Sequence, residues 1–317
     1  MIKQERFMFK GYKKAVCLIF LFLVCAAIFC EEEEKSEKTF PDAEFNTEIS
    51  LEINYPWNVF LSASEYIKLN SRISDKKYTE LSIKGILALT SLEASFGMKF
   101  VYLNFADFFT EFSAGSGWCF EKAFLYGLAG SGNLRGRKKI VPYNFSKAVF
   151  SLNSGFDFHF NLAEVLTGDW FNLVFRTVQG IKYRALIPAE ETDFWFWQNG
   201  FTESRNGALY SASYSVEYSM PLYINKLALK LITEKKLYAP ISGTVNEAEK
   251  LWDFELSFSL FFKPADFVTI KLEPSWASTV LYESDSEKVY FIYKRLNKNK
   301  MQALNFKNIS AAVSFSF

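Results

Sequence analysis

Residues 309–317 read Ile309-Ser310-Ala311-Ala312-Val313-Ser314-Phe315-Ser316-Phe317. Positions 309, 311, 313, 315 and 317 are apolar, whereas 310, 314 and 316 are Ser and 312 is Ala. Successive side chains of a β-strand point to opposite faces, so this alternation builds one greasy face and one small, polar face. The pattern holds through an aromatic last residue, where the end of a soluble chain ordinarily frays in water. A strand of this kind has to meet two different media.

The same alternation recurs upstream. Phe45, Thr47, Ile49, Leu51 and Ile53 alternate with Asn46, Glu48, Ser50, Glu52 and Asn54. Further strands are expected from Trp57 to Leu69, over Leu81–Leu89, Leu92–Tyr102 and Ala148–Phe160, and from Trp170 to Leu186. Others are expected over Ala208–Met220, Tyr223–Glu234, Trp252–Phe262, Phe267–Trp276, Val289–Leu296 and Met301–Phe317. This gives about 12 strands, most near the 9–11 residues that a tilted membrane strand needs and longer than the usual soluble strand. A hairpin around Trp118–Leu128, inside the long segment 104–146, would raise the number to 14. Trp57, Trp170, Trp252 and Trp276 fall near strand ends, where aromatic girdles sit in membrane barrels.

Composition supports the reading. Phe is abundant at 35 residues, yet mean hydropathy is neutral at +0.00, which requires greasy and polar residues to be interleaved. Lys and Arg number 36 against 35 Asp and Glu, a balance that argues against a nucleic-acid partner. The amino-terminal end carries Lys3, Arg6, Lys10, Lys13 and Lys14, then an apolar run from Ala15 to Cys30, then Glu31-Glu32-Glu33-Glu34. A basic head, a short apolar run and a polar exit describe an export signal over 1–30, followed by a charged linker over 31–43 and a barrel over 44–317. Cys30 offers a lipidation alternative. Cleavage after it would leave Cys119 as the sole cysteine.

The closing segment resembles the carboxy-terminal assembly signal of bacterial outer-membrane β-barrel proteins, mapping onto Ser310, Ala312, Phe315 and Phe317, with Ala312 in place of the usual Gly. The pieces Gly115-Ser116-Gly117-Trp118, Gly168-Asp169-Trp170 and Tyr218-Ser219-Met220-Pro221 are similar to uncharacterised spirochaete barrel proteins. The resemblance implies an all-β, closed antiparallel transmembrane barrel in the bacterial outer membrane. Its implied partners are outer-membrane lipids and the barrel assembly machinery. A soluble or lipid-anchored periplasmic β-protein is the alternative architecture.

The expected lumen-lining residues are Lys84, Lys99, Asp157, His159, Arg176, Lys182, Arg184, Glu217, Lys226, Lys230, Asp253, Glu255 and Lys271. Glu48, Glu52, Glu80, Glu93 and Glu273 share their polar faces. Nearly balanced signs predict weak ion selectivity and a narrow or occluded lumen. The functional expectation is porin-like passage or binding of small solutes. The alternative is a closed structural or surface-interaction barrel working through its long loops.

No enzyme, cofactor or metal is read from the chain. His159 is the only histidine, no Ser is marked as a nucleophile beside it, and one His with one Cys cannot make a zinc site. The stretch Gly130–Lys139 lacks the Gly-Lys-Ser/Thr ending of a phosphate loop and reads as an exposed basic loop. Asn144-Phe145-Ser146 and Asn308-Ile309-Ser310 match a glycosylation pattern that is discounted for a bacterial exported protein. Connections alternate short and long, with long ones near 70–78, 104–146, 187–206, 235–250 and 279–287, and this strand list places both chain ends on the long-loop side. Outer-membrane barrels keep both ends on the other side.

Overall fold

The computed structural model describes residues 43–317, apart from 56–57, 72–73, 104, 121–124, 135–136, 167–171, 190–193, 199–203, 221, 238–246 and 284–293. The expected export signal, the linker up to residue 42, Cys30, Trp57 and Trp170 lie outside the described residues.

In chain order the strands are β1 (Ala43–Tyr55), β2 (Asn58–Ser71), β3 (Ser74–Ala88), β4 (Ser91–Leu103), β5 (Ala106–Gly117), β6 (Cys119–Phe120), β7 (Leu125–Tyr126), β8 (Leu128–Leu134) and β9 (Arg137–Pro142). They continue with β10 (Ala148–Asn161), β11 (Leu173–Ile187), β12 (Phe194–Trp197), β13 (Gly207–Ser219), β14 (Ile224–Lys236), β15 (Trp252–Ala265), β16 (Val268–Val280) and β17 (Gln302–Ser316). Twelve close into one antiparallel barrel in the order β1-β17-β16-β15-β14-β13-β11-β10-β5-β4-β3-β2. Closure leaves no free sheet edge in the wall. At the seam, Glu48 faces Ser316 and Tyr55 faces Ile309 in register. Thr47 and Phe317 exchange both backbone bonds, at 3.1 and 2.9 Å.

The expected number of 12 holds, but two of its members change. The wall includes β5, in a stretch the alternation left as loop. Inward Phe109 and the Gly115 and Gly117 positions hide its period. Of the strand expected over Val289–Leu296, residues 289–293 lie outside the described residues, and its described part does not join the wall: Leu296 only bridges Tyr282. The hairpin foreseen near Trp118–Leu128 exists as β6–β7, but it pairs within itself and does not raise the barrel to 14 strands. The basic stretch Gly130–Lys139 is not an open loop either; most of it lies in the paired strands β8 and β9.

Inserting β5 reverses the polarity of every earlier strand. Both described ends, at Ala43 and Phe317, therefore emerge on one side, with connections at 72–73, 104–105, 162–172, 220–223 and 266–267. The opposite side carries 56–57, 89–90 and the long connections 118–147, 188–206, 237–251 and 281–301. The expected placement of the ends on the long-loop side is thus corrected.

The two faces separate by chemistry. Outward positions include Ile49, Leu51, Ile53, Leu87, Phe96, Phe112, Phe156, Phe158, Phe175, Tyr214, Leu229, Phe258 and Phe306, all exposed. A continuous apolar surface of this size is not tolerated in water. Inward positions alternate small hydroxyl residues with long charged ones, which fits the crowding inside a narrow barrel. Ser64, Ser113, Ser215, Ser257, Ser259 and Ser275 are buried beneath their charged neighbours.

Candidate functional site: the charged interior and its cap

Each inward charge is set by its strand's register. Lys99, Asp107, Asp157 and Arg176 stand at the short-turn ends of β4, β5, β10 and β11. Both aspartates are 3% exposed. Lys99 Nζ lies 2.9 Å from Asp107 Oδ2 and 3.8 Å from Asp157 Oδ2, so one ammonium serves two carboxylates. Arg176 Nε donates to Asp157 Oδ1 at 2.8 Å, and its Nη2 donates to Oδ2. His159 Nδ1 sits 3.9 Å from Asp107 Oδ2, on the edge of the same network. A buried carboxylate is tolerable only when it is paired and hydrogen-bonded in this way.

Around the rest of the wall, Lys226 pairs with Glu217, Lys271 with Glu273 at 2.8 Å, Lys307 with Glu255 at 2.6 Å and Lys236 with Asp253 at 3.9 Å. The Lys226 and Lys236 pairs join neighbouring strands, the Lys271 pair lies along β16, and the Lys307 pair reaches across β16 from β17 to β15. Lys84, Lys182, Arg184 and Lys230 occupy the same inward face by register, with no ion pair among the described residues. Glu111 on β5 is inward and exposed, so the interior has free space at mid-height. The alternation in sequence could not supply Asp107 or Glu111, because both lie on the strand that the pattern left as loop.

The closing motif is divided between the two faces. Ser310 is buried and inward, and its hydroxyl donates to the Glu273 carbonyl at 3.4 Å. Ala312 faces inward between Lys271 of β16 and Glu52 of β1, a position that suits a small residue. Phe315 and Phe317 point outward, Phe317 being 72% exposed.

The long connections fold over the barrel mouth on their side. The sheet β12-β8-β9 and the hairpin β6–β7 form this cap. Alternate residues of β12 enter two separate clusters. Trp195, fully buried, packs with Leu128 against Val149 and Leu186, which are inward residues of β10 and β11. Phe194 joins Ala248 and Leu296 from the other two long connections. Asn206 clamps the seam: its Oδ1 accepts the Leu186 amide at 2.7 Å and the Trp195 indole at 3.3 Å, and its Nδ2 donates to the Leu186 carbonyl at 3.1 Å. Arg205 donates two bonds to Glu249, at 2.7 and 3.1 Å.

Two glycines permit this docking. A Cβ on Gly127 would lie 1.8 Å from the Thr90 carbonyl oxygen, and one on Gly115 would lie 2.7 Å from the Trp197 ring. Gln198 adopts φ 52° and reaches down from the cap, with Nε2 3.3 Å from Ser91 Oγ and 3.4 Å from Glu93 Oε2. Cys119, in the cap, is half-buried with its thiol toward the Leu128 carbonyl at 3.5 Å. Nothing in the alternation announced the cap, because its contacts join segments far apart in sequence.

No family model and no curated protein matches the sequence. Among solved structures, the translocator domain of the autotransporter NalP from Neisseria meningitidis shares 8% identity, covering 96% of this chain and 97% of that one, with a TM-score of 0.41. An outer membrane channel from Pseudomonas putida F1 shares 7% identity over 90% of this chain and 99% of that one, with a TM-score of 0.43. The NanC porin shares 11% identity over 85% and 98%, with a TM-score of 0.35. The likeness is one of architecture: a closed antiparallel β-barrel.

Proposed function

We propose that this chain is a bacterial outer-membrane β-barrel that passes or binds small solutes, porin-like and weakly ion-selective. The observation that carries the reading is the division of every wall strand into an exposed apolar face outside and a charge-balanced face inside. Hydrocarbon suits the first face and water the second. The short-turn side with both described ends would face the periplasm, and the long connections the exterior. Outer-membrane lipids would surround the belt, and the assembly machinery would read Ser310, Ala312, Phe315 and Phe317. Residues 1–30 would direct export, with amino-terminal mass analysis of the envelope protein as the check on cleavage and on Cys30.

The cap favours a second reading: a barrel closed at its outer mouth that acts through surface loops. Planar-bilayer recording separates the two. The channel reading expects discrete conductance steps and a reversal potential near zero across a KCl gradient, because the signs of the interior charges nearly balance. A silent barrel that conducts once the cap is loosened would sink the open-channel reading and support the closed one. A fully folded barrel that stays in the aqueous phase without detergent would defeat both and leave a periplasmic β-protein.

A further inference from the structure

Several interior charges have no ion pair among the described residues, and three of them, Glu111, Lys182 and Arg184, stand close together on β5 and β11. Glu111 of β5, Asn153 of β10 and Lys182 of β11 occupy a single lateral row, since Asn153 faces Glu111 on one side and Lys182 on the other. The next row toward the cap runs Ser95–Ser113–Ser151–Arg184. Acid therefore stands on β4 and β5 and base on β11, with only short Ser and Asn side chains between; on the far side of the glutamates the second row continues to Lys84 of β3. Ser113 and Ser151 bond to each other at 2.7 Å, which turns their hydroxyls along the wall. The charges acting on Lys182 are Arg184 on its own strand and Glu234, Glu93 and Glu111 on others, none of them within ion-pair distance. The cap roofs this space: Trp197 lies over Gly115, and Gln198 donates to Glu93.

We propose that the space bounded by Glu93 and Glu111, Lys182 and Arg184, and the overlying Trp197 and Gln198 binds a small zwitterion of dipeptide size. Strands spaced about 4.8 Å apart put the Glu111 and Lys182 backbones roughly 10 Å from each other. A dipeptide spans about 7 Å between its ends. Its ammonium meets the glutamates and its carboxylate meets the Lys-Arg pair, a fork-shaped acceptor for Arg184. A solute with one net charge satisfies one side and leaves the other unpaired, and this discriminates against simple anions and cations.

The proposal rests on the interior being accessible to solutes, as in the proposed function. Binding is measured on the folded, detergent-solubilised barrel, by saturation-transfer NMR with glycylglycine, its N-acetyl derivative and its C-terminal amide. Glycylglycine should bind at least about fivefold more tightly than either singly charged analogue. Glu111→Gln should abolish the preference over the N-acetyl anion, and Lys182→Gln the preference over the amide cation. The exchanged pair Glu111→Lys with Lys182→Glu should recover part of it. Each variant is scored only after its unboiled form shows the compact migration of the parent. Equal binding of all three probes, or a preference unchanged in both single variants, overturns the site. Bilayer recording is read separately: silence there with binding intact counts against the channel and leaves the site standing.

Discussion

Phe156 and Asn153 show how one residue reports its medium. Both lie near the middle of β10, and they point in opposite directions: Phe156 is 52% exposed on the outer belt, and Asn153 sits inward between Glu111 and Lys182. Phe156→Arg places a charge at mid-height in hydrocarbon and should cost roughly 2–4 kcal/mol of folding stability in bilayers. Asn153→Arg meets water and a glutamate and should cost less than about 1 kcal/mol. Urea unfolding in lipid vesicles measures both; equal losses would mean that the outer face does not see lipid. The alternation of Phe with Ser, Asn and Asp along this strand was legible in sequence because the period of a strand is fixed by its backbone. The pairing of Asp157 with Arg176 and Lys99 was not, because it depends on which strands become neighbours.

At the scale of elements, wall and cap obey different rules. Wall strands run for 12 to 15 residues and hold their period between bulges, which shift the register in the β14–β15, β15–β16 and β16–β17 pairs. β12 is four residues long and has no exposed face, with Phe194 and Trp195 in two different clusters. Its stability comes from those clusters and from the Asn206 clamp. Trp195→Ala should therefore remove about 3–5 kcal/mol from the docking of the cap. Because the wall's hydrogen-bond ladder is complete without it, the heat-modifiable migration of the barrel should persist. Protease should cut the connections 188–206 and 118–147 faster in this variant, and unchanged cleavage would mean that the cap does not hang on Trp195. The missed strand β5 belongs to this scale too. It lines the interior next to the cap, so it carries Gly115 where Trp197 docks and Gly117 where the Thr90 turn presses. Residues chosen for close approach from inside look like turn residues when read in line.

The whole molecule is defined by its seam. Ser50 and Ser314 face one another in the β1–β17 register, both inward. Facing residues in an antiparallel pair lie about 4.5–5.5 Å apart between Cα atoms, within the range a disulfide spans. Ser50→Cys with Ser314→Cys, in a background with Cys17, Cys25, Cys30 and Cys119 replaced by Ser, should cross-link under mild oxidation and give a ring-closed product on a denaturing gel. The offset pair Ser50→Cys with Ser310→Cys should not. Cross-linking of both pairs, or of neither, would rule out this register.

Sequence alone determined that the chain builds long two-faced strands, close to twelve of them, with charges gathered on the inner side. Backbone geometry and the contrast of two solvents impose that pattern locally, so it can be read locally. Only the tertiary structure decided which charges pair, that β5 completes the wall, that both described ends share the short-turn side, and that the long connections turn back to cap the opposite mouth. Those features come from closure and from contacts between distant segments, and such contacts leave no period along the chain.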